Sequence, residues 1–320
     1  MTTLKVALGQ IAPVWLNREK TIDKILDAAN TAVSKHADLI TFGEGLLPGY
    51  PFWIERTNGA KFNSSVQKSL HSLYVQQAVN IENGDLDRIC NFAKSKQIAF
   101  VLGLIEKPDD RGGHSVYCSV VYIDKSGIIQ SVHRKLQPTY EERLTWSPGD
   151  GHGLRTHKLG DFTLGALNCW ENWMPLVRSA MYAQGENLRV AVWPGGEQNT
   201  LDITRFIAKE GRSYVMSVSG LMRPGDFPKE TPHLDLILDS TNGNQEFLAN
   251  GASCIAAPDG TWLIEPQVGV EGVFTAEIAL SNVFEERQNF DPVGHYSRPD
   301  VTQLTVNRKR QSTININDEQ

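Results

Sequence analysis

The sequence has few cysteines, and none of them are paired in sequence. The 320 residues include four, at Cys90, Cys118, Cys169 and Cys254, and no two lie within a CxxC motif. A chain of this length can bury a core without disulfide bonds, and widely spaced cysteines do not suggest a disulfide framework. The sequence therefore predicts a protein of a reducing compartment, and we expect a cytoplasmic location.

Strongly basic segments and long apolar runs are also missing. The formal net charge is -6, and the longest basic cluster is residues 308–310. These features argue against a nucleic-acid partner. No apolar run reaches the roughly 18 residues of a membrane span, and the first residues show neither a basic region nor a cleavage site typical of a secretory signal. We therefore expect no membrane partner. Because no histidines show an HExxH spacing, we also expect no metal.

Hydrophobic residues make up 40% of the chain and recur in alternating strand-like and helix-like patterns. Apolar runs predict strands, and apolar residues three or four positions apart predict helices. The mixture of strand–helix units and hairpins predicts an α/β fold in one domain, with mixed sheets covered by helices. The predicted strands lie at 6–11, 39–43, 98–104, 116–123, 127–133, 162–167, 188–193 and 214–219.

The last third of the chain is less regular. Residues 223–250 are rich in Pro, Gly and Asp, which predicts an irregular surface segment. Three short apolar runs follow, at 253–257, 261–264 and 272–278, and predict a meander of neighbouring strands. We expect a single domain over residues 1–305 and a polar, mobile C-terminal tail over 306–320.

Three polar residues lie where predicted strands end: Glu44, Lys135 and Cys169. Each of the three has an ordinary explanation on its own. Isolated Glu and Lys side chains usually lie in solvent, and free Cys side chains usually lie in the hydrophobic core. Together they suit one chemistry. A thiol nucleophile needs a base, and a developing anion needs a fixed positive charge. The ends of core strands are also where α/β proteins assemble their sites.

Three sequence blocks carry a family resemblance. Residues 42–51, 133–143 and 168–172 resemble, in order and separation, the motif blocks of the nitrilase (carbon-nitrogen hydrolase) superfamily. The Gly149-Asp150-Gly151 loop and residues 291–300 resemble those of true nitrilases. The resemblance extends from Val6 to about Leu304. Gly43 departs from the pattern, since many relatives have Pro before the glutamate, and the chain ends sooner than nitrilases with long tails.

The resemblance implies an αββα four-layer sandwich, with two mixed sheets between helices, commonly assembled as a homodimer or a larger spiral. It implies that Glu44 is the general base, Lys135 stabilises the tetrahedral intermediate, Cys169 is the nucleophile and Glu142 is a second acid. Cys169-Trp170-Glu171 resembles the nitrilase branch. The implied activity is therefore hydrolysis of a nitrile to a carboxylic acid and ammonia, without a cofactor.

Aromatic residues in or near the motif loops are candidates for the substrate pocket, namely Tyr50, Trp146, Trp170 and Trp193. Aromatics also dominate ordinary cores, so we expect part of this set to serve packing alone. Cys90, Cys118 and Cys254 lie within apolar runs, which predicts packing roles. His133, His152 and His295 are interpreted as structural or solvent-facing.

Two other functions are compatible with the same motifs. An aliphatic amidase or N-carbamoyl hydrolase would use the same Glu–Lys–Cys triad, and the Cys-Trp-Glu form argues against it. A catalytically silent binding subunit is the second alternative. The presence of all three triad residues argues against that one.

Overall fold

The computed structural model describes residues 2–239 and 246–314. Its strands are β1 (Thr3–Gln10), β2 (Leu39–Leu47), β3 (Ala99–Glu106), β4 (Tyr117–Ile123), β5 (Ile129–Arg134), β6 (Thr156–Leu159), β7 (Phe162–Asn168), β8 (Leu188–Trp193), β9 (Tyr214–Ser219), β10 (Leu221–Met222), β11 (Ala249–Ala256), β12 (Trp262–Val268) and β13 (Gly272–Ala279). The helices are α1 (Arg18–Ser34), α2 (Trp53–Arg56), α3 (Ser65–Gln77), α4 (Asp87–Lys96), α5 (Pro175–Tyr182), α6 (Glu197–Gly211), α7 (Leu234–Asp239) and α8 (Leu280–Arg287).

The strands form two mixed sheets. The first has the order β13-β1-β2-β3-β4-β5, with β1, β2 and β3 parallel and the remaining pairs antiparallel. The second has the order β10-β11-β9-β8-β7-β6, and β12 pairs with β11. Its centre, β7-β8-β9, is parallel. Mixed sheets of this kind agree with the pattern of strand–helix units and hairpins in the sequence.

The sheets pack face to face, and helices cover their outer faces. Alternate residues of β1 separate between two cores: Val6 and Leu8 join the core between the sheets, whereas Ala7 joins the core beneath α1 and α4. On the other side, Ile203 and Ile207 of α6 pack on the second sheet. This alternation follows from the two-residue period of a strand. The layers are therefore helix, sheet, sheet, helix, which confirms the predicted αββα sandwich.

Helix α1 illustrates how local sequence sets an element. The side chain of Asn17 caps its first turn by accepting a hydrogen bond from Lys20 N at 3.1 Å. Ile22, Ile25 and Ala29 then recur at helical spacing and are fully buried against the first sheet. Burial of such an aliphatic side chain contributes ~1.5–3 kcal/mol. The helix thus buries the face that its periodicity predicts.

The predicted meander at the end of the chain is wrong in part. The β11–β12 hairpin exists, but β13 leaves the second sheet and pairs antiparallel with β1 over residues 3–10. Strand pairing between distant segments depends on the packing of the whole domain, which local periodicity does not contain. The short strand β6, which pairs with β7, was not predicted either.

The segment predicted as irregular contains short elements. Within residues 223–239 and 246–250, the structure has a 3₁₀ turn (Pro224–Asp226), helix α7 and the start of β11. Residues 240–245 of that segment lie outside the described residues. No helix in the described parts of the chain is long and apolar enough to cross a membrane.

The start of the predicted C-terminal tail contacts the body of the domain. Arg310 forms an ion pair with Asp150 at 3.1 Å and donates to Val132 O at 3.2 Å. The backbone N–H of Gln311 also donates to Asp150 at 2.9 Å. Asp150 is buried, so these contacts satisfy a carboxylate that would otherwise be costly to bury. Residues 315–320 of the tail lie outside the described residues.

Candidate active site

The two sheets approach each other closely next to Glu44. A Cβ at Gly43 would lie 2.7 Å from Gly220 N and 3.0 Å from Trp193 O, so a larger residue there would collide with backbone of the second sheet. Strand β2 continues to Leu47 rather than ending before Glu44, but its pairing with β3 is interrupted between Phe42 and Leu47. Glu44 therefore lies within β2, in a stretch that does not pair with β3.

Lys135 is the centre of the buried polar cluster. Its Nζ donates to Glu44 Oε1 at 2.6 Å and to Glu142 Oε2 at 2.7 Å. Lys135, Glu44 and Glu142 are each no more than 2% exposed. Such an ion cluster stays buried only when each charge is compensated by neighbours. The structure therefore brings together three of the four predicted catalytic side chains at hydrogen-bond distance.

Glu142 is fixed by the 3₁₀ turn Tyr140–Leu144. Its Oε2 accepts the backbone N–H of Thr139 at 2.6 Å in a capping box, and its Oε1 accepts the hydroxyl of Tyr50 at 2.8 Å. Both oxygens are thereby occupied, one of them also by Lys135. Glu142 is held as an acceptor with little freedom to rotate.

Cys169 lies at a sharp turn after β7. It begins the 3₁₀ turn Cys169–Trp173 and has a φ of 43°, a left-handed conformation that costs a non-glycine residue ~1–2 kcal/mol. Asn172 Nδ2 donates to Cys169 O at 2.9 Å and helps to hold the turn. The residue is buried. Cys169 therefore lies at a strained backbone turn directly after a core strand.

Burial and charge determine the protonation of the cluster. Burial raises the pKa of Glu44 to about 7, and Glu142 adds to this, although the Lys135 ammonium opposes it. Burial disfavours the charged form of Lys135, but the negative charges of Glu44 and Glu142 raise its pKa well above the usual value. Lys135 is therefore a permanent cation in this cluster.

The thiol of Cys169 is protonated in the resting site. Burial raises the pKa of Cys169 well above its usual value, and the charge of Glu44 raises it further, while Lys135 lowers it. These interactions also place Cys169 within electrostatic range of all three other predicted residues. Any nucleophilic step requires a base that removes the thiol proton during attack.

Glu171 connects the Cys169 turn with the segment that carries Lys135. Its Oε2 accepts Asn168 N at 2.8 Å, and its Oε1 accepts Leu136 N at 2.7 Å. His133 Nε2 lies 3.0 Å from Oε2. Burial opposes ionisation of Glu171, yet His133 and the two backbone donors lower its pKa. Glu171 is thus an ionised brace between the two sheets, and His133 has the structural role that the sequence predicted.

The Glu171→Gln variant should weaken this brace. Glutamine keeps the shape but loses the charge and one accepting group, so a buried backbone N–H is left without a partner. We expect a loss of ~2–4 kcal/mol in the free energy of unfolding, measured with urea, and a fall of about 10-fold or more in turnover. The pKa of Glu171 is lowered from 4.5 in the folded protein. Its contribution to the free energy of unfolding is therefore present above pH 4.5 and is lost as the pH falls through the folded-state pKa.

The exposed Glu265 in β12 provides the matched control. Glu265→Gln should change the free energy of unfolding by no more than ~0.5 kcal/mol. An unchanged unfolding midpoint and unchanged turnover in Glu171→Gln would contradict the proposed brace.

The four predicted pocket aromatics lie in different places. Tyr50 contacts Glu142, and Trp146 packs edge-on against Tyr50 with its ring centroid 5.3 Å from Lys135 Nζ. Trp193 is fully buried in the apolar cluster that contains Cys169. Trp170 is 55% exposed and lines an outer groove with Tyr140. The structure thus brings Tyr50 and Trp146 to the cluster, but not Trp170, and the substrate contacts stay predictions.

A narrow recess of about 10 Å³, enough for little more than one water molecule, adjoins Glu44. Only Glu44 and Tyr50 contribute polar side-chain groups to its wall, and the remaining residues are apolar or glycine: Pro13, Leu46, Phe52, Pro194, Gly220, Leu221, Met222 and Ala249. Over residues 2–239 and 246–314, no group of three or more His, Cys, Asp or Glu could hold a metal ion.

Cys118 belongs to the site, although the sequence predicted only packing. Its Sγ lies 3.2 Å from Glu44 Oε1 and donates to it. Strand β4 is buried along its whole length, so Cys118 and its apolar neighbours give the same local pattern. Only the pairing of β4 with β3 and β5 places this thiol beside Glu44, and no signal in the single sequence could have identified it.

Comparison with known proteins identifies the family. The sequence model described as "Carbon-nitrogen hydrolase" matches residues 5–288. The chain belongs to the carbon-nitrogen hydrolase family.

Several curated relatives cover almost the whole chain. Nitrilase 1 of Arabidopsis thaliana is 32% identical over 98% of this chain and 89% of its own length. An aliphatic nitrilase of Rhodococcus rhodochrous is 31% identical over 98% of this chain and 85% of its own. The arylacetonitrilase of Macrophomina phaseolina is 32% identical, covering 99% and 95%.

Solved structures share the fold at lower identity. The carbon-nitrogen hydrolase from Helicobacter pylori G27 aligns with a TM-score of 0.67 and 20% identity over 93% of this chain and 97% of that one. An amidase from Nesterenkonia sp. aligns with a TM-score of 0.63 and 18% identity, covering 89% and 94%. These likenesses agree with the two-sheet sandwich described above.

Proposed function

We propose that this protein hydrolyses an organic nitrile to the carboxylic acid and ammonia. In this proposal Cys169 is the nucleophile, Glu44 the general base and Lys135 the cation that stabilises the developing anion. Glu142 holds Lys135 in place and assists proton transfer. The observation that carries the proposal is the buried Lys135 ammonium, which is shared by Glu44 and Glu142 at 2.6 and 2.7 Å and lies within electrostatic range of the Cys169 thiol.

The names of the relatives support the substrate class. The three curated proteins named above are a nitrilase, an aliphatic nitrilase and an arylacetonitrilase, each matched over at least 85% of its own length. Their names differ in the group attached to the nitrile, so we extend the proposal to organic nitriles as a class.

The first step is addition of the thiol across the C≡N bond. Glu44, with a pKa of about 7, takes the proton from Cys169 as the sulfur attacks the nitrile carbon. The nitrogen gains negative charge and accepts that proton, which gives a thioimidate. Lys135 compensates the charge while it develops, and because the cluster is buried this interaction is stronger than it would be in water.

Two waters complete the reaction. The first adds to the thioimidate carbon, with Glu44 as base, and the tetrahedral intermediate expels ammonia to leave a thioester. The second water attacks the thioester carbonyl, and the carboxylic acid departs as the thiol is restored. If the thiolate leaves the tetrahedral intermediate before ammonia does, the product is the amide. We therefore expect a minor amide product.

Ammonia release from paired substrates tests this proposal. The wild-type protein is incubated with aliphatic, arylaliphatic and aryl nitriles and with the corresponding amides. We expect ammonia and acid from at least one nitrile, with kcat/KM above that of its amide. Release from amides or N-carbamoyl compounds alone would replace the proposed activity by that of an amidase or carbamoyl hydrolase. No release from any compound would indicate a silent binding subunit.

A further inference from the structure

Cys118 contacts all three segments that carry the proposed catalytic residues. Its Sγ donates to Glu44 Oε1 at 3.2 Å, and its backbone carbonyl accepts the N–H of Lys135 at 2.7 Å. Its Sγ also lies 3.9 Å from the side-chain oxygen of Asn168, the residue before Cys169. Cys118 itself is 1% exposed.

The two oxygens of Glu44 have different surroundings. Oε1 accepts from both Lys135 Nζ and Cys118 Sγ. Oε2 is buried and has no hydrogen-bond partner among the described residues. A buried carboxylate oxygen without a donor is unfavourable for a purely structural residue. It is the arrangement expected of an atom that exchanges a proton with the substrate or the thiol.

We propose that Cys118 is a positioning residue for Glu44, because its thiol together with Lys135 occupies Oε1 and leaves Oε2 as the oxygen that exchanges protons. The inference rests on the proposed function, in which Glu44 is the base. Without the Cys118 donor, Oε1 is held by Lys135 alone, and the carboxylate can turn either oxygen toward the reacting atoms. The orientation of the base is then set less tightly, and proton transfer becomes slower.

The same contact affects the ionisation of Glu44. Burial raises its pKa most, Lys135 lowers it, Glu142 raises it, and the Cys118 thiol lowers it by bonding to the charged form. Tyr50 and Tyr74 are the other titratable groups whose pKa values respond to Glu44, and Cys169 responds as well. These side chains are all retained in a Cys118 variant, and of them only the pKa of Tyr74 also responds to Cys118. A shift in the acid limb of the pH profile would therefore report the lost thiol contact.

Two substitutions at Cys118 separate positioning from packing. Cys118→Ala removes the donor, whereas Cys118→Ser keeps a hydroxyl donor of similar size. For Cys118→Ala we expect kcat to fall about 3- to 10-fold with KM changed less than about twofold, and the acid limb of kcat/KM to move up by roughly 0.5 pH unit. Cys118→Ser should return both values to near wild type. Cys254→Ala, a buried thiol on the second sheet that bonds Thr204, is the control and should keep the wild-type profile.

A direct titration of Glu44 makes the test independent of turnover. Carbon-13 NMR of the labelled side-chain carboxyl should give a pKa near 7 in the wild-type protein and a higher value in Cys118→Ala. If the wild-type protein turned over no nitrile or amide, the proposed function would fail, yet the titration would still report the contact. The inference would be overturned if Cys118→Ala kept both the wild-type acid limb of kcat/KM and the wild-type pKa of Glu44. The inference would also be overturned if Cys118→Ala lost the same fraction of activity at every pH and Cys118→Ser did not restore it.

Discussion

Cys169→Ala is expected to release no measurable ammonia from any nitrile that the wild-type protein hydrolyses. Without the nucleophile, no group remains that can form the covalent bond to the nitrile carbon. Comparable deletions in other enzymes lower turnover by about 10⁴-fold or more. The fold should persist, because only a small side chain is lost at a position already under backbone strain. Ammonia assays and thermal unfolding on the same preparation provide the two measurements.

Two observations would strengthen or contradict this result. Mass spectrometry of the wild-type protein with a slowly hydrolysed nitrile should show an adduct on the peptide that contains Cys169, and Cys169→Ala should show none. Cys254→Ala is the matched control, since it also removes a buried thiol, but one on β11 that is bonded to Thr204. Retained turnover in Cys169→Ala would dismiss the thiol as the nucleophile.

Lys135→Met is expected to remove activity and also to destabilise the fold. Methionine fills a similar volume but leaves the carboxylates of Glu44 and Glu142 buried without a cation. Deleting one partner of a buried ion pair costs ~3–5 kcal/mol. Activity should fall by about 10²-fold or more, because the developing anion loses its fixed positive charge. Urea unfolding and kcat/KM measure the two effects.

The destabilisation caused by Lys135→Met should depend on pH. The pKa of Glu44 is already raised from 4.5 to about 7, and Lys135 is the main influence that holds it down, so the variant raises it further. A raised carboxyl pKa means that the folded protein favours the protonated form of Glu44. The free energy of unfolding therefore decreases as the pH rises through the pKa of Glu44 in the folded protein. The difference in unfolding free energy between wild type and Lys135→Met should therefore be smaller at pH 5 than at pH 8.

A double variant separates stability from catalysis. Lys135→Met combined with Glu142→Gln removes one of the two uncompensated carboxylates, so part of the lost stability should return while activity stays absent. Nitrile turnover by either variant near the wild-type rate would remove Lys135 from the proposed mechanism.

Most strands and the polar residues at their ends could be predicted from local signals, whereas the two-sheet sandwich and the role of Glu142 were implied by the family resemblance. Apolar runs gave the strands, and the polar residues that interrupt them gave Glu44, Lys135 and Cys169. The structure confirms the two mixed sheets and brings Lys135 together with Glu44 and Glu142. The catalytic roles, the substrate contacts, the single domain over 1–305, a homo-oligomeric assembly and a cytoplasmic location stay predictions.

What could not be predicted depends on contacts between distant segments. The position of β13 beside β1 joins residues more than 260 apart in sequence. Cys118 is one of seven buried residues in β4, and only strand pairing brings it to Glu44. Trp170 follows the nucleophile directly, but the tight turn at Cys169 directs its side chain to the outer surface. Neighbours in sequence are therefore not always neighbours in the site.

Neither sheet holds the proposed machinery by itself. Glu44, Cys118 and Lys135 come from the first sheet or its immediate continuation, whereas Cys169 follows a strand of the second. A partly folded chain in which either layer has formed alone would keep much of its secondary structure and yet have no competent site. Recovery of enzymatic activity after denaturation would then report the docking of the layers, and it should lag behind the recovery of backbone circular dichroism.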